Sequence, residues 1–367
     1  MPKTSITDLL CPSGNGVFTV NAASEKKAEL HRNLYQSDDP IIVQNKHQQQ
    51  LTRFFDGAVS RSVAMLGICS DTGGGIQRGA NWGPLYIRQK IQQGNASNIY
   101  MDLGDVRVIP HLLHDKYLNE ETLQSCQKAL YGKVCDRPVS PLSIAELVLT
   151  KIYQQKPSIR LFGLGGDHSV SYPLMKSFLK AKKTQGRRCA LVHFDAHTDL
   201  LTERLGIDLC FSSWLTHVLP YFDSPEHVVQ LGIRSTAQSK EHWQSTFGIK
   251  QYWASEIQKR GMEYFCYQII DKFKAENIDE IYISFDIDAL DSSIVSATGT
   301  PEPNGLLLED ALIAIALFRA AFPITGADLV EVAPMVNPNH QLNEPESTLL
   351  AAKRISEALL HAMRHSG

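Results

Sequence analysis

The feature that most constrains this chain is an alternation of short, nearly continuous apolar runs with stretches of helical composition. It begins at SVAMLGIC (62–69), which a glycine-rich turn at 71–75 follows. VRVIP (106–110) precedes a helix expected at 141–155, and SIRLFGL (158–164) precedes one at 170–183. CALVHFD (189–195) leads into a polar loop, VVQLGIR (228–234) and IYISFDID (281–288) lie between helical stretches, and ITGADLVEV (324–332) leads to a last helix at 345–364. Apolar strands alternating with helices of ten to twenty residues predict β-α units, and hence an α/β domain whose mainly parallel sheet is covered on both faces. Residues 1–60 lack this pattern; 24–55 is polar and helix-compatible, with a Gln-rich run at 44–50. We therefore expect an N-terminal extension over 1–60 and one main α/β domain over 61–367.

Charge and composition narrow the partner. Charged residues are 20% of the 367, the net charge is −3, and no Lys/Arg block stands out. That balance argues against nucleic acid. No run of about 18 apolar residues is present to cross a membrane, and the N-terminus lacks the apolar core of a secretory signal. A cytoplasmic protein with a small-molecule partner is expected. The seven cysteines are scattered with no C-x-x-C pair, and so read as reduced thiols.

In open α/β sheets ligands bind beyond the carboxyl ends of the strands. The strand ends here read GLGGDHS (163–169), HFDAHTD (193–199), SFDIDALD (284–291) and LVEVAP (329–334). If 195–199 is extended, Asp195, His197 and Asp199 point the same way, because side chains alternate along a strand. Asp286 and Asp288 repeat the device, and His168 follows a Gly-Gly turn. A single D-x-D or G-G-D-H is weak evidence, and His193, His217, His227 and His242 each read as structural. Three such segments, each following a strand, are stronger. Their four carboxylates and two imidazoles would be very unfavourable together unless neutralised. A pair of divalent cations supplies that neutralisation, and an oxygen-rich set with some imidazole suits manganese better than zinc. Paired metals acidify water, so the implied chemistry is hydrolysis.

GGDHS, FDAHTD and SFDIDALD, in this order, resemble the signature motifs of the ureohydrolases, the family of arginase, agmatinase and formimidoylglutamase. The resemblance implies an arginase-like three-layer α-β-α sandwich holding two Mn2+ per chain. It implies His168 and Asp199 on one ion, His197 and Asp288 on the other, and Asp195 and Asp286 bridging. ATGTPEPNGL (297–306) is similar to the family's loop after the last aspartate pair, and Glu331 matches the glutamate that holds a guanidinium group. DTGGGIQRGANWGP (71–84) looks like the agmatinase opening, so the resemblance runs from about 61 to 363. The implied activity is an agmatinase-like cleavage of a linear C–N bond in a small cationic guanidino or amidine substrate, releasing urea and an amine, by a homo-oligomer, a trimer or hexamer.

Three departures concern the substrate and the proton path. Leu201 and Ser235 stand where arginases place an asparagine and an aspartate for the α-amino acid, which makes arginine a poor candidate. LCFSSWLTHVL (209–219) lacks the family's histidine-glycine pair. Asp199 or water could then carry the leaving-group proton, with His217 as the nearest histidine. Formimidoylglutamases also tend to lack that pair, so an amidine hydrolase is the alternative, ahead of a true arginase or a catalytically silent member.

Overall fold

A computed structural model describes residues 5–17, 24–59, 62–73, 75–94, 99–109, 111–334 and 344–364. Among these, one sheet is built from β1 (Leu10–Cys11), β2 (Val63–Ile68), β3 (Met101–Val106), β4 (Arg160–Gly165), β5 (Cys189–Phe194), β6 (Val228–Ile233), β7 (Lys250–Trp253), β8 (Glu280–Asp286) and β9 (Ile324–Val330). Their spatial order is β1-β3-β2-β4-β9-β8-β5-β6-β7. All pairings are parallel except β1 with β3.

Strand residues alternate between two apolar cores, which is what burial of both faces requires. Val63, Met65, Ala190, Val192 and Phe194 belong to one core; Ala64, Leu66, Ile68, Cys189 and Leu191 belong to the other. Helices α3 (Gly83–Gln92), α9 (Ala254–Arg260), α10 (Met262–Ala275), α11 (Leu308–Ala321) and α12 (Glu344–Arg364) contribute to the first. Helices α2 (Pro40–Phe55), α5 (Pro141–Gln155), α6 (Ser171–Thr184), α7 (Trp214–Val218) and α8 (Lys240–Phe247) contribute to the second. The result is the three-layer α-β-α sandwich. Helix α4 (Glu120–Tyr131) packs only its last residues, Leu130 and Tyr131, against the second core, and α1 (Ser24–Tyr35) contributes to neither.

The described residues before 60 are packed onto this body. Leu51 and Phe54 of α2 are fully buried in the second core, where each large apolar side chain contributes roughly 1.5–3 kcal/mol. Asp39 starts α2 by accepting from the backbone N–H of Ile41 and Ile42 at 2.9 and 3.0 Å, ahead of Pro40. A buried ion cluster clamps this segment to the sheet. Arg88 of α3, fully buried, donates to Asp102 Oδ2 at 2.9 Å and Asp105 Oδ1 at 2.5 Å, and Asp105 Oδ2 accepts from the backbone N–H of Gly14 and Gly16 at 2.7 and 3.1 Å.

One strand sits elsewhere than the apolar pattern predicts. Of the run VRVIP (106–110) only Val106 lies in β3, as its last residue; 107–109 follow the strand, and Pro110 lies outside the described residues. The strand itself, MDLGDV, carries two aspartates whose charges Arg88 neutralises, so apolar periodicity passes over it.

Candidate metal centre and substrate pocket

Four neighbouring strands at the middle of the sheet, β4, β9, β8 and β5, end at one place. Three of them, β4, β8 and β5, continue into a turn that a carboxylate holds. After β4, Gly166 passes so close to Ser70 that an added Cβ would lie 1.6 Å from its carbonyl oxygen. Asp167 then caps a single helical turn, His168–Val170, accepting from the Ser169 N–H at 3.1 Å and, with its other oxygen, from the Thr72 N–H at 2.6 Å. After β8, Asp286 Oδ1 accepts from the Asp288 N–H at 2.9 Å and caps the turn Ile287–Ala289. After β5, Asp195 Oδ1 accepts from the His197 N–H at 2.6 Å.

The extended geometry expected for 195–199 is therefore corrected. The segment bends directly after β5, and Asp199 adopts a left-handed backbone with φ 52°. The three side chains still converge, because the Asp195 carboxylate draws the backbone of His197 back toward itself.

His168 Nδ1 lies 3.2 Å from Asp195 Oδ2, 3.0 Å from Asp199 Oδ2 and 3.1 Å from Asp286 Oδ2. His197 Nδ1 lies 3.4 Å from Asp195 Oδ1 and 3.1 Å from Asp288 Oδ2. Asp195 thus turns one oxygen to each group. All six residues expected as ligands are brought together.

Neighbours fix the ligands. Ser284 Oγ donates to Asp328 Oδ1 at 2.8 Å and faces His168 Nε2 at 3.2 Å, so the network assigns the His168 proton to Nε2. Nδ1 is left buried and without a hydrogen bond among its carboxylates. His193 donates from Nε2 to Asp195 Oδ2 at 2.9 Å, while its Nδ1 accepts from Gln230 at 2.9 Å, which makes it a support for Asp195. Trp214 donates from Nε1 to Asp199 Oδ2 at 2.7 Å, and Thr300 donates to Asp288 Oδ2 at 3.1 Å. Arg234 ties the loops together from behind, donating to the carbonyls of Asp288 and Glu302, each at 2.8 Å.

The protonation pattern is that of a site built around cations. Burial, reinforced by Asp195, raises the Asp199 carboxyl, and burial with Asp288 and Asp195 drives Asp286 far above the usual range. Burial also opposes charge on Asp195, yet the three imidazoles set against it, those of His168, His193 and His197, hold it well below its ordinary value. Burial disfavours a charged His197, but Asp288 and Asp195 push it up to about 12. Four carboxylates in one buried place must recruit protons unless divalent cations replace them. The orphaned Nδ1 and this donor set fit a metal centre.

Glu331 follows β9 with φ 62° and accepts from the His168 N–H through Oε1 at 2.8 Å. Burial first, then the charge of Asp167, raises its carboxyl well above the usual range. Glu331 lines a cavity of about 560 Å3 together with His168, His197, Asp199 and Asp286. Leu201, Arg204, Phe211, Ser235, His242 and Trp243 are among the residues that line the rest of it. His217 is not brought to this cavity. Its Nε2 donates to the Asp208 carbonyl at 2.9 Å and its ring meets Tyr172, so the expected proton donor is an anchor of the loop. Sequence reasoning passed over Trp214, Arg234 and Arg204, since none lies in a ligand motif. His242 was read as structural, yet the fold sets it at the cavity.

A mainly parallel α/β sandwich with clustered imidazoles and carboxylates at its central strand ends defines the class: an α/β protein with a built metal-binding site. The arginase family model matches residues 61–361, and the chain belongs to the arginase family. It is 33% identical to the agmatinase of Bacillus anthracis over 201 residues, 54% of this chain and 62% of that protein. It is 26% identical to the mitochondrial arginase 1 of Arabidopsis thaliana over 341 residues, 93% and 92% of the two chains. The chain therefore spans about 62% of the length of the Bacillus agmatinase it matches. Among solved structures, the formimidoylglutamase of Bacillus subtilis superposes with a TM-score of 0.65 at 20% identity, covering 84% of this chain and 88% of that one.

Proposed function

We propose that this chain is a binuclear-manganese hydrolase that cleaves a linear C–N bond of a guanidino compound, releasing urea and an amine. The observation that carries the reading is the division of Asp195, one oxygen toward His168 and the other toward His197, with Glu331 on the wall of the same cavity. His168, Asp195, Asp199 and Asp286 would hold one ion, and His197, Asp288 and the same Asp195 and Asp286 the second. When bound, such ions supply a nucleophile at neutral pH and neutralise charge developing on the substrate. The residues do the rest. Glu331 takes the cationic head through charge-assisted hydrogen bonds. Trp214 and His193 hold Asp199 and Asp195 in place. His242 is the cavity's imidazole outside the ligand cluster, and it takes the role of proton donor to the leaving nitrogen.

A second reading, an amidine hydrolase of the formimidoylglutamase type, is favoured by one observation: segment 209–219 sends Phe211 and Ser212 to the cavity, and no histidine. Arginine is disfavoured in both, because Leu201 is apolar and Ser235 donates its hydroxyl to Glu302 at 2.9 Å. We place the protein in the cytoplasm as a trimer or hexamer; no helix among the described residues is long and apolar enough to cross a membrane.

The test is turnover after manganese loading. Purified protein with Mn2+ is assayed for urea, formamide and ammonia release from guanidino and formimidoyl compounds, with metal counted by elemental analysis. Two manganese per chain and urea release are expected. Metal binding with no turnover on any substrate would favour the catalytically silent reading, and no metal uptake would overturn the centre itself.

A further inference from the structure

The metal centre explains the floor of the cavity and leaves its outer wall unexplained. Part of that wall, including Leu201, Arg204 and Phe211, is built by the segment after Asp199, whose base is pinned. Tyr117 donates to Asp208 Oδ1 at 2.5 Å, the Leu209 N–H donates back to the Tyr117 hydroxyl at 2.8 Å, and His217 and Ser213 both donate to the Asp208 carbonyl. Between Asp199 and this base the chain makes a two-residue hairpin. Arg204 and Ile207 exchange backbone hydrogen bonds at 2.8 and 3.0 Å across Leu205 and Gly206, whose φ values are 52° and 81°. Two successive positive φ values mark the tight hairpin turn that normally takes Asn-Gly. A leucine there, 97% exposed, costs roughly 1–2 kcal/mol of backbone strain with no burial to offset it. The turn keeps that strain while setting Arg204 at the cavity.

Arg204 is a cation seeking a partner. Its guanidinium carbon lies 5.5 Å from the centre of the Phe211 ring, also in the wall. Stacking uses the flat face of a guanidinium and leaves its N–H edge for a planar anion. Among the described residues no carboxylate comes within 4.0 Å of it, although its chain neighbour Glu203 is exposed beside it. The cavity's own acids, Asp199, Asp286 and Glu331, are engaged at the floor by His168 and Trp214. The cavity therefore offers a cluster of carboxylates already engaged and a guanidinium that none of them pairs with.

We propose that Arg204 selects the substrate's tail by pairing with a carboxylate, so that the substrate is a zwitterion with a cationic guanidino or amidine head and an anionic tail. A dication of the agmatine kind, carrying an ammonium in the tail, meets like charge at Arg204. The inference rests on the hydrolase reading above for the orientation of the head, toward Glu331 and the metal ligands.

Matched substrates test it. Manganese-loaded protein is assayed on 4-guanidinobutyrate, N-formimidoylglutamate and agmatine, and the binding of each is measured separately by calorimetry. An acidic-tailed compound should exceed agmatine in kcat/KM, and Arg204→Ala should reduce that advantage about 10- to 100-fold, mainly through KM, the size of one lost charge-assisted hydrogen-bond pair. Arg204→Glu should move the preference toward agmatine. Turnover in which the ratio of anionic to cationic substrates is unchanged by Arg204→Ala overturns the tail assignment and leaves the hydrolase reading standing. Arg204-dependent binding of the acids with no turnover supports the tail assignment and overturns the hydrolase reading. Preference of the unaltered protein for agmatine, or no binding of any of the three, overturns the proposal.

Discussion

At the residue scale the site is a set of ligands whose orientation is set by other side chains. Trp214 is the clearest case, because its indole N–H donates to Asp199, the one of the six expected ligands that sits in a left-handed backbone. Replacing Trp214 with Phe keeps most of the packing and removes that bond. We expect manganese affinity to fall by about 10- to 100-fold, the usual cost of losing a hydrogen bond to a metal ligand; a titration giving unchanged affinity would remove Trp214 from the centre. The two histidines near the cavity separate in the same way. His217→Ala should leave the chemical step largely intact and loosen the loop at Asp208, whereas His242→Ala should lower kcat by about 10²–10⁴-fold if it supplies the proton. Steady-state rates on one substrate for both variants decide between them, and equal losses would reject the division of roles. Histidine is visible in a sequence, but whether it faces a cavity or a carbonyl is not.

At the element scale, carboxylate-held turns carry the design. Asp167, Asp195 and Asp286 each bond a backbone N–H two residues ahead, and two of them also approach the ligand cluster. This is why D-x-H-x-D and D-x-D are legible: the same aspartate that shapes the turn belongs to the site. The strand next to the sheet's edge is less legible, because β3 hides its aspartates by pairing them with Arg88. Both charges are fully buried in the Arg88–Asp105 pair, so removing one partner strands the other. We expect Asp105→Ala to destabilise the protein by about 3–5 kcal/mol. Urea denaturation measures this, and a loss under about 1 kcal/mol would show that water reaches Arg88 readily.

Across the whole molecule, metal and protons act on stability in opposite parts of the fold. A ligand that binds only the folded chain adds about 2.7 kcal/mol at one hundred times its dissociation constant. Manganese should therefore raise the unfolding midpoint, and Asp195→Asn, which removes the carboxylate facing both groups, should abolish the rise. A calorimetric scan with and without manganese reads this directly; an equal rise in the variant would place the metal elsewhere. The N-terminal segment behaves differently. Burial lowers the His31 and His47 imidazoles, which donate to the carbonyls of Ser13 and Leu103. The unfolded chain, with imidazoles near the ordinary value of about 6.5, takes up those protons first. Their contribution is thus fully present above that value and is lost as pH falls through it. Urea midpoints at pH 7.5 and 5.5 should differ more for the unaltered protein than for His47→Asn, and identical differences would refute the assignment.

Much of this protein is determined locally and was open to reading in the chain. Strand and helix alternate because apolar runs must be buried on two faces, and the acidic strand ends stand out because charge at such places needs a counter-ion. The ligand residues follow from that, as does the resemblance carried by GGDHS, FDAHTD and SFDIDALD. Three things waited for the tertiary structure. The sheet order places β9 between β4 and β8, which carries Glu331 to the turn of His168 from 163 residues away. The first described segments join the body through β1, α2 and the Arg88 cluster, although nothing in their periodicity announces it. The cavity's outer wall depends on a strained hairpin and its pinned base, which bring Arg204 and Phe211 together, and on α8, which adds His242 to the same cavity. Each depends on contacts between segments distant in sequence, and no local pattern of residues encodes which partners those segments will find.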